Sequence, residues 1–241
     1  MTADKLLILD ENWQRALAIV AHPDDMEFGA SSAVARWTAQ GKEVSYILMT
    51  SGEAGIDGMS PEEAGPAREE EEIKSAAIVG VEKVEFLGYT DGIIEYNLAL
   101  RRDLTRKIRT YRPEIVITLS HHLTWPGGPL NMADHRWLAY GVMDASRDAG
   151  NRWIFPELLD EGLEPWTGVR MVLLSGSPES THAVDVTEYL DIGIASLQAH
   201  KLYIDNLSQG FDPVAFLTQA AIETGKQAGF EYAVSFEVIS I

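Results

Sequence analysis

Cysteine is absent from the 241 residues, so the chain can form neither a disulfide nor a thiolate metal site. Any metal must sit on imidazole and carboxylate, and six histidines are available to supply the first. Basic residues are scarce: 19 Lys and Arg stand against 37 Asp and Glu, a formal net charge of −18. That balance argues against nucleic acid, an anionic membrane or a polyanionic substrate as partner, because each needs a basic footprint. By itself the acidity most simply serves solubility. Long apolar runs are missing too. No segment approaches the ~20 apolar residues of a membrane span, and the stretch "MTADKLLILDENWQ" lacks a basic start followed by a long apolar region. The expectation is a cytoplasmic protein, free of membrane, that acts on a small molecule. No repeat, low-complexity tract or linker interrupts the chain, so one domain over residues 1–241 is expected.

What is present is alternation. Short aliphatic and β-branched runs recur at 16–21, 43–50, 83–87, 114–119 and 169–174 and read as strands. Helix-period stretches lie between them. Residues 28–40 stop at Gly41, residues 61–79 open on Pro61 with two glutamates and stop at Gly80, and residues 98–111 end before Arg112 and Pro113. This order predicts an α/β fold with a mostly parallel sheet and helices on both faces. After Pro113 the pattern loosens into the loops 120–131 and 151–168, which hold Trp125, Trp153 and Trp166. Long ordered loops often carry function, although large aromatics beneath them more often pack than bind.

The stretch "AHPDDMEFGA", residues 21–30, follows the first of the buried-strand runs and sets a histidine and three acids on the C-terminal rim where open α/β sheets bind ligands. Neighbouring Asp24 and Asp25 cannot point the same way, so one can face a metal and the other a substrate. A divalent ion with one open position lowers the pKa of bound water, and an uncoordinated carboxylate beside it can take the proton. His22 and Asp25 supply two ligands at most. Glu27 reads as a first-turn acid of the helix that begins at Phe28. A third ligand is sought in "NMADHRW", residues 131–137, where Asn131 is the expected N-cap, Asp134 falls in the first helical turn, and His135 joins the same rim. On its own, that segment reads almost as readily as a capping acid beside an incidental histidine.

Together "AHPDD", "TSGEAG" at 50–55, "REEE" before "AAIVGV", and "ADHR" resemble the PIG-L/LmbE-like family of zinc-dependent N-deacetylases, over residues 16 to about 202. The resemblance implies a Rossmann-like fold and a zinc hydrolase that cleaves an amide, most simply an N-acetyl group on a small amine or amino sugar. It implies His22, Asp25 and His135 as zinc ligands and Asp24 as general base. Arg68 falls where the family places an arginine near the substrate, with Glu71 as its accompanying acid; Glu69, Glu70 and Glu72 are then expected to be mostly solvated. No GxGxxG loop follows the first strand, so no dinucleotide is implied. Another divalent metal would suit the same ligands. Family members assemble variously, which leaves a homo-oligomer open.

One position departs from that pattern. The family often carries a histidine where this chain has Met132, and a thioether can neither donate a proton nor bind zinc well. Three residues apart on a helix, Met132 and His135 are expected to share a face, so that Met132, Arg68 and Asp134 border the substrate. Loss of such a group costs roughly 10²- to 10³-fold in rate. His121 or His122, directly after the strand ending at Leu119, is expected to take the vacant role; adjacent side chains diverge, so one of the pair is left for the surface. Otherwise another residue or water serves, or the chain keeps the metal as a binding or regulatory module. His182 suits a capping or core hydrogen bond as well as a pocket, and His200 reads as a partly buried, hydrogen-bonded residue within a helix spanning Leu190 to Ile204.

Overall fold

The computed structural model describes residues 5–207 and 210–241. Its first strands are β1 (Leu7–Ile8), β2 (Arg15–Val20), β3 (Glu43–Leu48) and β4 (Lys83–Phe86), followed by β5 (Ile115–Leu119), β6 (Met171–Ser175), β7 (His182–Asp185) and β8 (Ala233–Ser240). All eight join one sheet in the order β1-β7-β8-β6-β5-β2-β3-β4. Every pairing is parallel except those of β8, which runs antiparallel to both β6 and β7. The α/β architecture with a mostly parallel sheet is therefore as the alternation predicts. The exposed two-residue strand β1 and the half-buried β8, whose patterns are weak, go unread in the sequence.

Strand β2 explains why the sheet is covered on both sides. Ala16, Ala18 and Val20 pack on one face with Trp13, Trp37 and Phe236, while Leu17, Ile19 and Ala21 pack on the other with Leu104, Ile108 and Val142. A strand with apolar residues at both parities belongs in the interior of a parallel sheet. The helices α1 (Ser31–Ala39) and α2 (Pro61–Ile78) cover the first face. The second is covered by α3 (Leu98–Tyr111) and α4 (Ala133–Asp148). Beyond them α5 (Glu157–Asp160) is a single turn, and α6 (Leu190–Gln198), α7 (Lys201–Asn206) and α8 (Pro213–Ala228) complete the chain, with Leu190 and Leu197 of α6 packed against Leu217 and Ala221 of α8. No helix of the described residues is long and apolar enough to cross a membrane.

Local chemistry sets the helix ends. Asn97 caps α3 by accepting from Leu100 N at 2.9 Å, and Arg112 closes it in a left-handed conformation before Pro113. The sheet grows outward from β2 to β3 and β4, then returns through α3 to place β5 on the other side of β2. This reversal opens a crevice beyond the carboxyl ends of β2 and β5, the position where doubly wound sheets bind ligands.

Candidate active site

Beyond Val20 the chain turns instead of entering a helix. Glu27 N and Phe28 N bond to the Asp24 carbonyl, Ala30 N bonds to that of Met26, and α1 begins only at Ser31. The helix start expected at Phe28 is thus three residues late, and Glu27 is not a first-turn acid. Asp24 adopts φ +96°, in the positive range that aspartate enters more readily than most residues. Asp25 folds back on the strand end, its Oδ2 accepting from Ala21 N and His22 N, both at 2.9 Å.

Its other oxygen, Oδ1, lies 3.1 Å from His135 Nε2 and 3.7 Å from His22 Nδ1, and the two ring nitrogens are 3.1 Å apart. Donors about 2.1 Å from one tetrahedral ion are about 3.4 Å from each other. The atoms facing away are all anchored. His22 Nε2 donates toward Asp91 Oδ1 at 3.0 Å and Asp134 Oδ2 at 3.3 Å, and His135 Nδ1 donates to Asn131 Oδ1 at 3.0 Å. Assigned from these partners, the tautomers leave His22 Nδ1 and His135 Nε2 as lone pairs aimed at one point. All three side chains are buried. Burial alone would raise the Asp25 carboxyl; the imidazoles of His135 and His22 overcome it and hold Asp25 far below the usual carboxylate range. Burial likewise opposes charge on His22, yet Asp25, Asp134 and Asp91 raise its pKa well above the imidazole value. So many acids around two imidazoles favour a cation, and the donor set suits zinc or a similar divalent ion.

Asp24 lies beside this cluster. Its Oδ2 accepts from Arg68 Nη2 at 2.9 Å, and its main-chain N–H donates to Glu72 Oε2 at 3.1 Å. Burial pushes the Asp24 carboxyl up to about 7, against the pull of Arg68. Arg68 is buried and held on several sides: it donates to Gly52 O at 2.8 Å and Pro23 O at 2.6 Å, and its guanidinium carbon sits 3.9 Å from the centre of the Tyr203 ring. The glycine in "TSGEAG" permits this. Gly52 has φ +63°, and a Cβ there would lie 2.3 Å from Arg68 Nη1.

Several sequence expectations change. Asn131 is not the N-cap of α4; Met132 is, with extended backbone, and no side-chain bond caps the helix. Asn131 instead uses its buried amide to tie His135 to the preceding loop, donating to Ser120 O at 2.8 Å and His122 O at 3.0 Å. Lying outside the helix and 49% exposed, Met132 is not bound by the helical spacing that would have set it on the face of His135. Asp134 is in the first turn as expected, but accepts from Gly92 N at 2.8 Å and Ile94 N at 3.0 Å as well as facing His22. His121 and His122 do not diverge: their ring centres are 4.2 Å apart. His122 Nε2 meets Glu237 Oε2 at 2.9 Å, and His121 packs edge-on to Tyr140 with its Nδ1 unpartnered. Neither ring is hydrogen-bonded to the His22–Asp25–His135 triad.

Glu72, expected in solvent, is 0% exposed. Glu71 is half-buried and accepts from Leu202 N and Tyr203 N, fixing the first turn of α7. His200 is not within a helix but at the break between α6 and α7, fully buried and with neither ring nitrogen paired. His182 lies in β7 and meets Thr181 Oγ1 at 2.8 Å. Of the loop tryptophans, Trp125 stands 5.5 Å from the His135 ring, Trp153 is 79% exposed, and Trp166 packs against Arg15 and Arg112. Asp91 is the residue sequence reasoning missed. It follows β4 on the same rim in "LGYTDG", and Glu53 of "TSGEAG" fixes it by accepting its N–H at 2.8 Å while Asp91 Oδ2 accepts from Ala54 N at 2.9 Å.

Comparison with known proteins agrees with this architecture. The PIG-L family pattern, described as GlcNAc-PI de-N-acetylase, matches residues 17–146. A diacetylchitobiose deacetylase of Thermococcus kodakarensis is 29% identical over 223 residues, covering 91% of this chain and 81% of its own. A 1D-myo-inositol 2-acetamido-2-deoxy-alpha-D-glucopyranoside deacetylase of Thermobispora bispora is 26% identical over 238 residues, 78% of each chain. The structure of N,N'-diacetylchitobiose deacetylase from Pyrococcus horikoshii superposes with a TM-score of 0.84 at 25% identity, covering 95% of this chain and 85% of that one.

Proposed function

The chain belongs to the PIG-L family, and from that premise we propose that it is a zinc-dependent N-deacetylase which hydrolyses the N-acetyl group of a small amine or amino sugar. One observation carries the reading: His22 Nδ1, Asp25 Oδ1 and His135 Nε2 converge within 3.7 Å of one another while every opposite atom of the three side chains is tethered. Those residues would hold the ion, which supplies Lewis acidity toward an amide carbonyl and acidifies water. The relatives named above as sugar deacetylases point to an N-acetylated sugar as substrate class.

The chain's own groups then divide the work. Asp24, held at Oδ2 by Arg68, has Oδ1 free to take a proton from water; a pKa near 7 suits proton transfer at neutral pH. Arg68 keeps that carboxylate anchored in its buried seat, and Asp91, Asp134 and Asn131 fix the two imidazoles. Trp125 forms an apolar wall beside His135. We assign the proton for the departing amine to His121, because His122 Nε2 is engaged by Glu237.

The test is amine release across a panel of N-acetylated amino sugars, amino-acid conjugates and simple amides, with and without chelator and added zinc. Release that a chelator abolishes and zinc restores is expected. No release from any member, or release indifferent to chelator, overturns the reading.

A further inference from the structure

Beside Asp24, whose main-chain N–H reaches Glu72, three ionisable side chains meet in the interior. Glu27 follows β2, Glu72 comes from α2, and His200 occupies the break between α6 and α7. Glu27 is 1% exposed and the other two 0%. His200 Nε2 lies 3.7 Å from Glu27 Oε2 and 3.6 Å from Glu72 Oε2. Those spacings exceed a hydrogen bond, so a proton shared between the groups does not satisfy them. Glu27 Oε2, Glu72 Oε1 and both ring nitrogens of His200 have no partner, and neither has the buried hydroxyl of Tyr46, whose charged neighbours are the same two glutamates.

Buried carboxylates are normally paired with a cation or coordinate a metal. Without a cation, burial and the charge of Glu27, followed by those of Asp24 and Asp25, push the Glu72 carboxyl well above the usual carboxylate range, and Arg68, the nearby cation, is committed to Asp24. Around Glu27 the outer partners are in place, since Ser75 Oγ donates to Glu27 Oε1 at 2.9 Å and fixes that carboxylate. Separations of 3.6 and 3.7 Å are close to the roughly 3.4 Å between donors that share one tetrahedral ion. We propose that Glu27, Glu72 and His200 form a second, closed site for a divalent cation of the zinc or manganese class.

Two carboxylates neutralise such an ion and a neutral imidazole supplies nitrogen. Because all three ligands are sealed from solvent, the ion enters as the chain folds and exchanges slowly. It serves structure and position. Glu72 Oε2 accepts the main-chain N–H of Asp24, so an ion that fixes Glu72 also fixes the positive-φ turn from which Asp24 faces the crevice.

The experiment counts metal and does not depend on hydrolysis. A His22→Ala/His135→Ala variant, in which the crevice triad is removed and the buried cluster untouched, is produced with zinc and manganese supplied, desalted, and measured by plasma mass spectrometry. One equivalent of zinc or manganese per chain is expected to remain, and to be lost when Glu72→Gln or His200→Gln is added. The proposal is overturned if the crevice-deficient protein carries no metal, or if its metal survives both additions. Should the added substitutions prevent folding, the metal must also remain in the crevice-deficient protein when His121→Ala is added, since His121, His122 and Glu237 form the other group able to hold it, and its loss there overturns the proposal.

Discussion

Asn131→Ala removes a side chain that touches no ion and still decides how one imidazole is aimed. Asn131 is 0% exposed; its Oδ1 accepts the His135 Nδ1 proton and its Nδ2 donates to two carbonyls, Ser120 and His122. Truncation leaves three buried polar groups unpaired at about 1–3 kcal/mol each, and water entering the vacated space brings the sum toward about 3 kcal/mol. Zinc affinity falls separately, because an unanchored His135 loses both its orientation and its defined tautomer. Such losses weaken metal binding by about 10- to 100-fold, or roughly 1.4 to 2.7 kcal/mol. Asn131→Asp divides the two effects. The carboxylate still accepts from His135, now as an anion, but faces the Ser120 and His122 carbonyls with no proton to give. It should therefore unfold in urea about as readily as Asn131→Ala in the metal-free state, while competing for zinc with a chromophoric chelator as well as wild type. An Asn131→Ala protein that keeps wild-type affinity within about twofold, or an Asp variant that loses as much as Ala, refutes the orientation argument.

The double variant Asp91→Asn/Asp134→Asn should bind zinc more weakly than either single variant by chelator competition, since both carboxylates serve one ring nitrogen of His22; equal affinity in all three would contradict that shared role. Separate His121→Ala and His122→Ala proteins should keep zinc while one, expected to be His121→Ala, loses at least about tenfold in turnover as an absent general acid does; full activity in both removes the pair from the reaction. Gly52→Ala places a methyl against Arg68 at a positive φ and should lower thermal stability by more than about 1 kcal/mol together with turnover, whereas an unchanged melting point would show that Arg68 has room to move. Far from the site, Glu11 accepts from Arg36 and Trp37, and these bonds outweigh the burial that would raise its carboxyl, so its pKa in the folded chain is held below the ordinary glutamate value. A lowered folded pKa means stability that is complete above about 4.5 and fades as the group protonates in acid. Glu11→Gln should therefore be less stable than wild type by about 1–2 kcal/mol in urea at neutral pH, with the gap narrowing as pH falls below the ordinary glutamate range; a gap that does not narrow in acid refutes the assignment.

How far the sequence discloses this molecule varies by element. Strands β2, β3 and β5 are legible because they are apolar at both parities, a pattern only a covered parallel sheet explains. Strand β8 is not, since most of its residues are only half-buried and an antiparallel insertion breaks the βα alternation. The donors His22, Asp25 and His135 stand out by motif; the residues that aim them do not, because Asp91 and Asp134 reach His22 across long sequence separations and Asn131, four residues before His135, reads as a helix cap. Glu72 was legible in principle. It lies four residues after Arg68, so the two must share a helical face, and a face that buries an arginine buries its neighbour one turn on. Reading the acidic run by composition conceals that periodicity. His200 escaped for a different reason: the apolar spacing continues through it, while the backbone does not.

The antiparallel strand carries a consequence for how the molecule is made. In the sheet order β1-β7-β8-β6, the strands β1 and β7 reach the other five only through β8. Synthesis proceeds from the N-terminus, so β1 precedes every other strand of the sheet and waits for β7, and the β1–β7 pair then waits for β8 to join it to the rest. The same late strand brings Glu237 to His122. A nascent chain can thus gather His22, Asp25 and His135 around the early strands long before the wall behind His122 exists, which separates the time of metal capture from the time of a finished catalytic crevice.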